Sequence, residues 1–205
     1  LSKIISKSGE SSKISCEVYP PAEDSWLLEE AILRENLRNK KCLDMGCGSG
    51  VQSAAMFSAK ASEVLAVDIN PAALKAAEQR VKEFFKKNKT QKPGHTFSVL
   101  ESNLFSKVTG KFDLIAFNPP YVPTDGVKWV DLDGGLEGRV VINKFIPAVG
   151  KHLNPNGAVL LLVSSLNNPQ VIQSAFFENG FSIKEVSKKK LFFEELIVIK
   201  AKKLF

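Results

Sequence analysis

Residues 41–71, KCLDMGCGSGVQSAAMFSAKASEVLAVDINP, decide the fold. A short apolar run, Lys41–Met45, leads straight into a glycine-rich turn, and a helical stretch follows over about Val51–Lys60. A second apolar run, Glu63–Asp68, comes next, and then a long helix from Pro71 to Lys89. Asn70 is a good cap for that helix, and Pro71 suits its first position. This strand–helix–strand–helix order calls for a parallel sheet with right-handed crossovers. Outward from it, Thr96–Leu100 reads as a strand at a sheet edge, and Phe112–Phe117 as a buried central strand. A Gly/Asp-rich loop, Thr124–Gly138, precedes a helix over Arg139–Leu153 and a strand over Gly157–Ser165. Asn168–Asn179 reads as a helix closed by Gly180. Ser182–Ser187 and Leu191–Lys200 are predicted as the closing strands, turning at Lys188-Lys189-Lys190. Ahead of the sheet, Glu23–Leu37 reads as a helix, and residues 1–17 as a flexible, Ser/Lys-rich arm. No repeat or composition break divides the chain, so residues 1–205 are read as a single domain.

Composition narrows the chemistry. Apolar content of 44% and charged content of 24% are those of a globular protein. No apolar run has the length of a membrane span, and the first residues lack a signal-peptide core, which predicts a soluble, cytoplasmic protein. Cys16, Cys42 and Cys47 form no CxxC, and His95 and His152 stand far apart, so no metal site or Ser-His-Asp mechanism is expected. The net charge of +6 is mostly lysine scattered along helices, as at Lys82, Lys86 and Lys87. A solvated helical face explains each cluster better than an acidic or nucleic-acid-bearing partner does, and the charge gives only weak support for work near RNA.

The turn after the first strand carries Asp44, Gly46, Gly48 and Gly50, a GxGxG rather than the GxGxxG of dinucleotide enzymes. Glycines between strand and helix let a ligand approach the backbone N–H groups. Asp44 would repel a pyrophosphate but suits the ammonium of an amino-acid moiety. Asp68 ends the second strand and can accept from both hydroxyls of a ribose, with Ile69 beside it to cover an adenine.

Asn118-Pro119-Pro120-Tyr121 ends the central strand, because prolines cannot donate to a ladder. Asn118 is thereby held where open α/β sheets bind ligands. The Asn118 side chain and the Pro119 carbonyl form a pair of acceptors at fixed spacing, suited to a planar NH2 group, and the Tyr121 ring can lie against it. Holding both hydrogens orients the nitrogen and favours its pyramidal, reactive state. The plainer alternative is a strand-ending proline turn around a buried Asn. Likewise, Glu23 and Asp24 in PAEDS are explained by the positive end of a helix.

Taken together, VYPPAEDSWLL (18–28), CLDMGCGSGV (42–51), VDINPAA (67–73), FNPPYVPT (117–124) and GGLEGR (134–139) resemble the HemK-type glutamine methyltransferases that act on class I release factors. The likeness is to their short eukaryotic and archaeal form. It implies a Rossmann-like class I methyltransferase, a seven-stranded, mostly parallel sheet with the last strand antiparallel. It also implies methyl transfer from S-adenosylmethionine, giving S-adenosylhomocysteine, to the glutamine amide nitrogen of a Gly-Gly-Gln motif. Asn118, Pro119, Pro120 and Tyr121 would be the catalytic set. Asp44, Gly46 and Gly48 would line the methionine part, Asp68 and Ile69 the ribose and adenine, Asn103 and Leu104 the adenine, Ser25 would close over the methionine end, and Asn118 would also contact the cofactor. The family usually has Asp where Asn103 stands and Glu where Pro20 stands. The resemblance further implies a small zinc-binding activator subunit, pairing with the edge at Thr96–Leu100.

The 40 residues ahead of Lys41 are too few for the helical domain of the bacterial form. No segment is free to read and flip a base, so no sequence-specific nucleic-acid contact is expected. Two other readings stay open on sequence alone: amino-methylation of a nucleic-acid base by the same NPPY, and cofactor binding without catalysis.

Overall fold

The computed structural model describes residues 18–89, 94–123 and 134–204. The predicted arm at 1–17 and most of the predicted loop 124–138 lie outside them. Seven strands form one sheet: β1 (Lys41–Met45), β2 (Glu63–Asp68), β3 (Thr96–Glu101), β4 (Phe112–Phe117), β5 (Leu153–Ser164), β6 (Phe181–Lys190) and β7 (Glu195–Lys203). Their order is β3-β2-β1-β4-β5-β7-β6, and only β7 runs against its neighbours. Five helices cover it: α1 (Glu23–Leu33), α2 (Val51–Ser58), α3 (Pro71–Asn88), α4 (Val140–Val149) and α5 (Pro169–Glu178). Side chains alternate across each strand. Leu114 and Ala116 of β4 face a core built with α1, α2 and α3. Ile115 and Phe117 face a second core built with α4 and α5. The chain winds outward from β1 through β2 to β3, then crosses back to β4 on the other side. A crevice therefore opens beyond the carboxyl ends of β1 and β4.

The element order is as predicted, with Asn70 accepting from Ala72 N at 2.9 Å as the cap of α3 and Gly180 left-handed after α5. Several boundaries are corrected. The first helix ends at Leu33 rather than Leu37, although Leu37 stays buried and donates its N–H to the Ala59 carbonyl. The fourth helix ends at Val149, and Leu153 already belongs to β5, because it pairs with Phe112 ahead of a register shift. The closing hairpin turns at residues 191–194, not at the three lysines. Lys188, Lys189 and Lys190 pair in register with Ile197, Leu196 and Glu195, and a charged residue is stable in a strand when its side chain faces water.

Candidate active site

The crevice is a cavity of about 390 Å³, within the range of small-molecule sites. Its floor is the glycine loop. Gly46, Gly48 and Gly50 all adopt positive φ, and two of them are also pressed by neighbours. A Cβ on Gly46 would lie 3.1 Å from the Phe117 ring, and one on Gly50 would lie 2.6 Å from Ala77 Cα of α3. The loop is thus clamped between the end of β4 and α3, which brings it against the Asn118 turn. Arg80 of α3 adds a tie that the sequence did not single out, donating from Nε to the Ser49 carbonyl at 2.6 Å.

Of the predicted cofactor residues, Ser25, Gly46, Gly48, Asp68, Ile69, Asn103 and Leu104 all line the cavity. Asp68 accepts from Gly48 N at 3.0 Å and from Asn70 N at 2.9 Å, one bond per oxygen. Each oxygen keeps a lone pair for a further donor. Burial outweighs these backbone bonds and raises the carboxyl above its ordinary value. Asn103 and Leu104 are set by Ser102, whose hydroxyl donates to the Leu104 carbonyl at 2.9 Å and accepts from Lys107 N at 3.0 Å. Asp44 sits elsewhere. It is 1% exposed, lies behind the loop rather than on the cavity wall, and accepts from Ser53 Oγ at 2.6 Å. Burial above all, with a contribution from the Asp68 charge, lifts its carboxyl to about 7 against the Ser53 hydrogen bonds.

The predicted acceptor set lies at the other end of the same cavity, where Asn118, Pro119, Pro120 and Tyr121 all line the wall. One residue organises it: Asp24, in the first turn of α1 and only 4% exposed. Asp24 Oδ2 accepts from Asn118 Nδ2 at 3.1 Å and from the Tyr121 hydroxyl at 3.4 Å. Asp24 Oδ1 accepts from Ser25 N at 2.6 Å. A carboxylate is an acceptor only, so it settles which end of the Asn118 amide faces it. Nδ2 is turned toward Asp24, and Oδ1 is left buried without a partner. An unpaired buried acceptor costs about 1–3 kcal/mol, and an incoming N–H removes that cost. Burial first, then the charges of Asp24 and Glu194, push the Tyr121 phenol well up, so it stays protonated and donates.

A second buried acceptor without a partner, Gln52 Oε1, belongs to the first turn of α2 at the cavity, while Gln52 Nε2 donates to the Ser25 carbonyl at 3.2 Å. Sequence reasoning passed over Gln52, Arg80 and the role of Asp24, because each acts through a partner far away in the chain. The GGLEGR motif also finds its use here. A Cβ on Gly138 would lie 2.0 Å from the Tyr121 carbonyl, and Asn167 Nδ2 donates to that same carbonyl at 2.6 Å. The glycine lets this strap close over the residue after the prolines. Cys42, whose thiol burial and the Asp113 charge push up to about 12, and Cys47, also pushed up by burial, are no nucleophiles. Among the described residues no cluster of His, Cys, Asp and Glu could hold a metal, and no helix is long and apolar enough to cross a membrane.

Residues 24–192 match the methyltransferase small domain. A protein of Methanocaldococcus jannaschii, provisionally named a protein N5-glutamine methyltransferase, is 39% identical over 98% of this chain and 100% of its own length. Human methyltransferase HEMK2 is 35% identical over 76% of each chain. Among solved structures, the E. cuniculi Mtq2–Trm112 complex, described as responsible for methylating the eRF1 termination factor, is similar with a TM-score of 0.71. The identity is 27%, covering 91% of this chain and 98% of that one. On its sheet order, its NPPY turn and these relatives together, the chain belongs to the methyltransferase small domain family, in the branch of the HemK-type protein N5-glutamine methyltransferases.

Proposed function

We propose that the protein transfers a methyl group from S-adenosylmethionine to the side-chain amide nitrogen of the glutamine in a Gly-Gly-Gln segment of a class I release factor. The observation that carries this reading is the orphaned Asn118 Oδ1, fixed as an acceptor by Asp24 in a residue whose backbone carbonyl lies against Gly46 of the glycine loop. The residues present suit the cofactor. Asp68 has lone pairs for a ribose, Gln52 Oε1 is an unmet acceptor for an ammonium, and Ile69 and Leu104 offer apolar cover for an adenine. When bound, the cofactor supplies an electrophilic methyl on a sulfonium, a strong leaving group.

The chain's own part is to orient the amide. Asn118 Oδ1 takes one N–H and the Pro119 carbonyl the other. Both acceptors bind more strongly as the nitrogen loses its planarity, so they favour the transition state over the ground state. Tyr121, anchored by Asp24 and by the Gly138 strap, forms the wall beside the amide. The extra proton leaves after transfer, and no general base is needed before it. Asp44 acts from behind the loop as a negative charge toward the cofactor's cationic end.

The similar Mtq2 structure is a complex with a second protein, Trm112, and we propose that this chain likewise works in the cytoplasm with a small zinc-binding activator that extends the sheet at β3. β3 is an edge strand with no proline or inward lysine to block pairing. The purified chain is therefore expected to be weakly active until that partner is added. Mass spectrometry of a release factor incubated with enzyme, activator and cofactor tests the whole reading. A gain of one methyl on the Gly-Gly-Gln glutamine supports it, whereas methyl incorporated into RNA or DNA instead would replace it.

A further inference from the structure

The turn between β6 and β7, residues 191–194, carries two aromatic side chains with almost no contact to the fold. Phe192 is 92% exposed and Phe193 86%, their rings edge to face at 4.6 Å between centroids. Exposed neighbouring phenylalanines are costly unless something covers them. The turn that holds them is well tied. Leu191 N donates to the Glu194 carbonyl at 2.8 Å, and Glu195 N donates to Ser165 Oγ at 3.0 Å. Leu191 packs into the same core cluster as Tyr121.

The turn also lies at the end of the sheet that carries the acceptor site. β7 is antiparallel, so its first residues lie at the carboxyl ends of the parallel strands, with Leu196 beside Ser164. Glu194 accepts from Ser164 Oγ at 2.5 Å, Ser164 N donates to Asn167 Oδ1 at 2.9 Å, and Asn167 holds the Tyr121 carbonyl. A continuous set of hydrogen bonds thus joins the aromatic tip to the NPPY turn. We infer that Phe192 and Phe193 form a docking lip for the polypeptide flanking the methyl-accepting glutamine, covering an apolar side chain of the substrate protein. The inference rests on the proposed function. A single amide offers few contacts, so a protein substrate needs further apolar contact next to the site. Two exposed phenyl rings suit an apolar side chain of a polypeptide better than a phosphate backbone, and two of the three lysines before the turn, Lys188 and Lys189, are engaged by Glu195 and Glu23.

The test is the double variant Phe192→Ser/Phe193→Ser in the full chain with its activator, assayed on intact release factor. Both side chains are exposed, so the fold should be retained, and calorimetric cofactor affinity, expected within about twofold of wild type, verifies the site. Contacts made equally in ground and transition states raise KM and leave kcat alone. KM for release factor should rise at least about tenfold with kcat within about twofold, a loss of about 1.4 kcal/mol. An unchanged KM in an active variant overturns the docking lip and leaves the proposed function standing. A change in sedimentation from dimer to monomer, or a loss of activator stimulation, also overturns it, since the tip would then serve another contact. If the wild-type enzyme methylates no release factor, the proposed function falls, and the lip with it.

Discussion

Asn118→Asp exchanges one atom and tests the acceptor geometry most directly. The new oxygen replaces Nδ2, 3.1 Å from Asp24 Oδ2. Two carboxylates at that distance repel by about 5 kcal/mol at an effective dielectric constant of about 20. One proton is therefore shared between the two carboxyls, and the pair titrates as a unit. With the proton between the two residues, the other oxygen of residue 118 stands where Asn118 Oδ1 stood, and the acceptor survives. Mutual repulsion favours the singly protonated pair, so the stability it contributes is complete at low pH and lost as the last proton leaves. Methyl transfer to release factor at saturating cofactor, divided by the wild-type rate, should then be substantial at mildly acidic pH and fall at least about tenfold as pH rises and that proton is lost. Asn118→Ala should be down about 10²–10³-fold without that trend and with cofactor affinity intact. Adding Asp24→Asn to Asn118→Asp removes one of the two charges and should flatten the profile. A ratio for Asn118→Asp independent of pH, or a wild-type rate for Asn118→Ala, would refute the reasoning.

Asp68→Asn keeps the shape but exchanges a charged acceptor for one oxygen and an NH2, which opposes either Gly48 N or Asn70 N; calorimetry should show cofactor binding weaker by at least about tenfold. Asp44, lifted to about 7 from an unfolded value near 4, contributes stability that is complete below about pH 4 and lost as pH rises through about 7. The ligand-free protein should therefore melt lower at pH 8 than at pH 5.5 by several degrees, cofactor affinity should rise over the same interval, and Asp44→Asn should flatten both by calorimetry. Gly138→Ala places a methyl 2.0 Å from the Tyr121 carbonyl at a left-handed φ. It should lower kcat more than cofactor affinity, and a wild-type turnover would mean that the strap does not position Tyr121.

Which parts of this molecule were legible in the sequence follows from the range of the forces involved. Periodicity and punctuation are local, so the βαβα run from Lys41, the cap at Asn70, the stop at Pro119 and the edge position of β3 could be read directly. Candidates for the site could be named because glycine loops and strand ends have short-range chemical reasons to be where they are. Boundaries misread at Leu37, Leu153 and Lys188–Lys190 are those where a distant partner overrides local preference: Ala59 for Leu37, Phe112 for Leu153, and the β7 register for the lysines.

Only the tertiary structure decided how the named residues work. PAEDS reads locally as acids at the positive end of a helix, yet Asp24 meets Asn118 94 residues away and determines which amide atom is left to accept. Asp44 reads as a ligand contact, and folding ties its carboxylate to Ser53 of α2, where burial lifts its pKa to about 7. Gly138, Asn167 and Tyr121 come from three separate segments and meet only because the strap closes over the end of β4. Hydrogen-bond direction, desolvation and steric closeness depend on which atoms share a few ångströms of space, and chain order alone does not contain that.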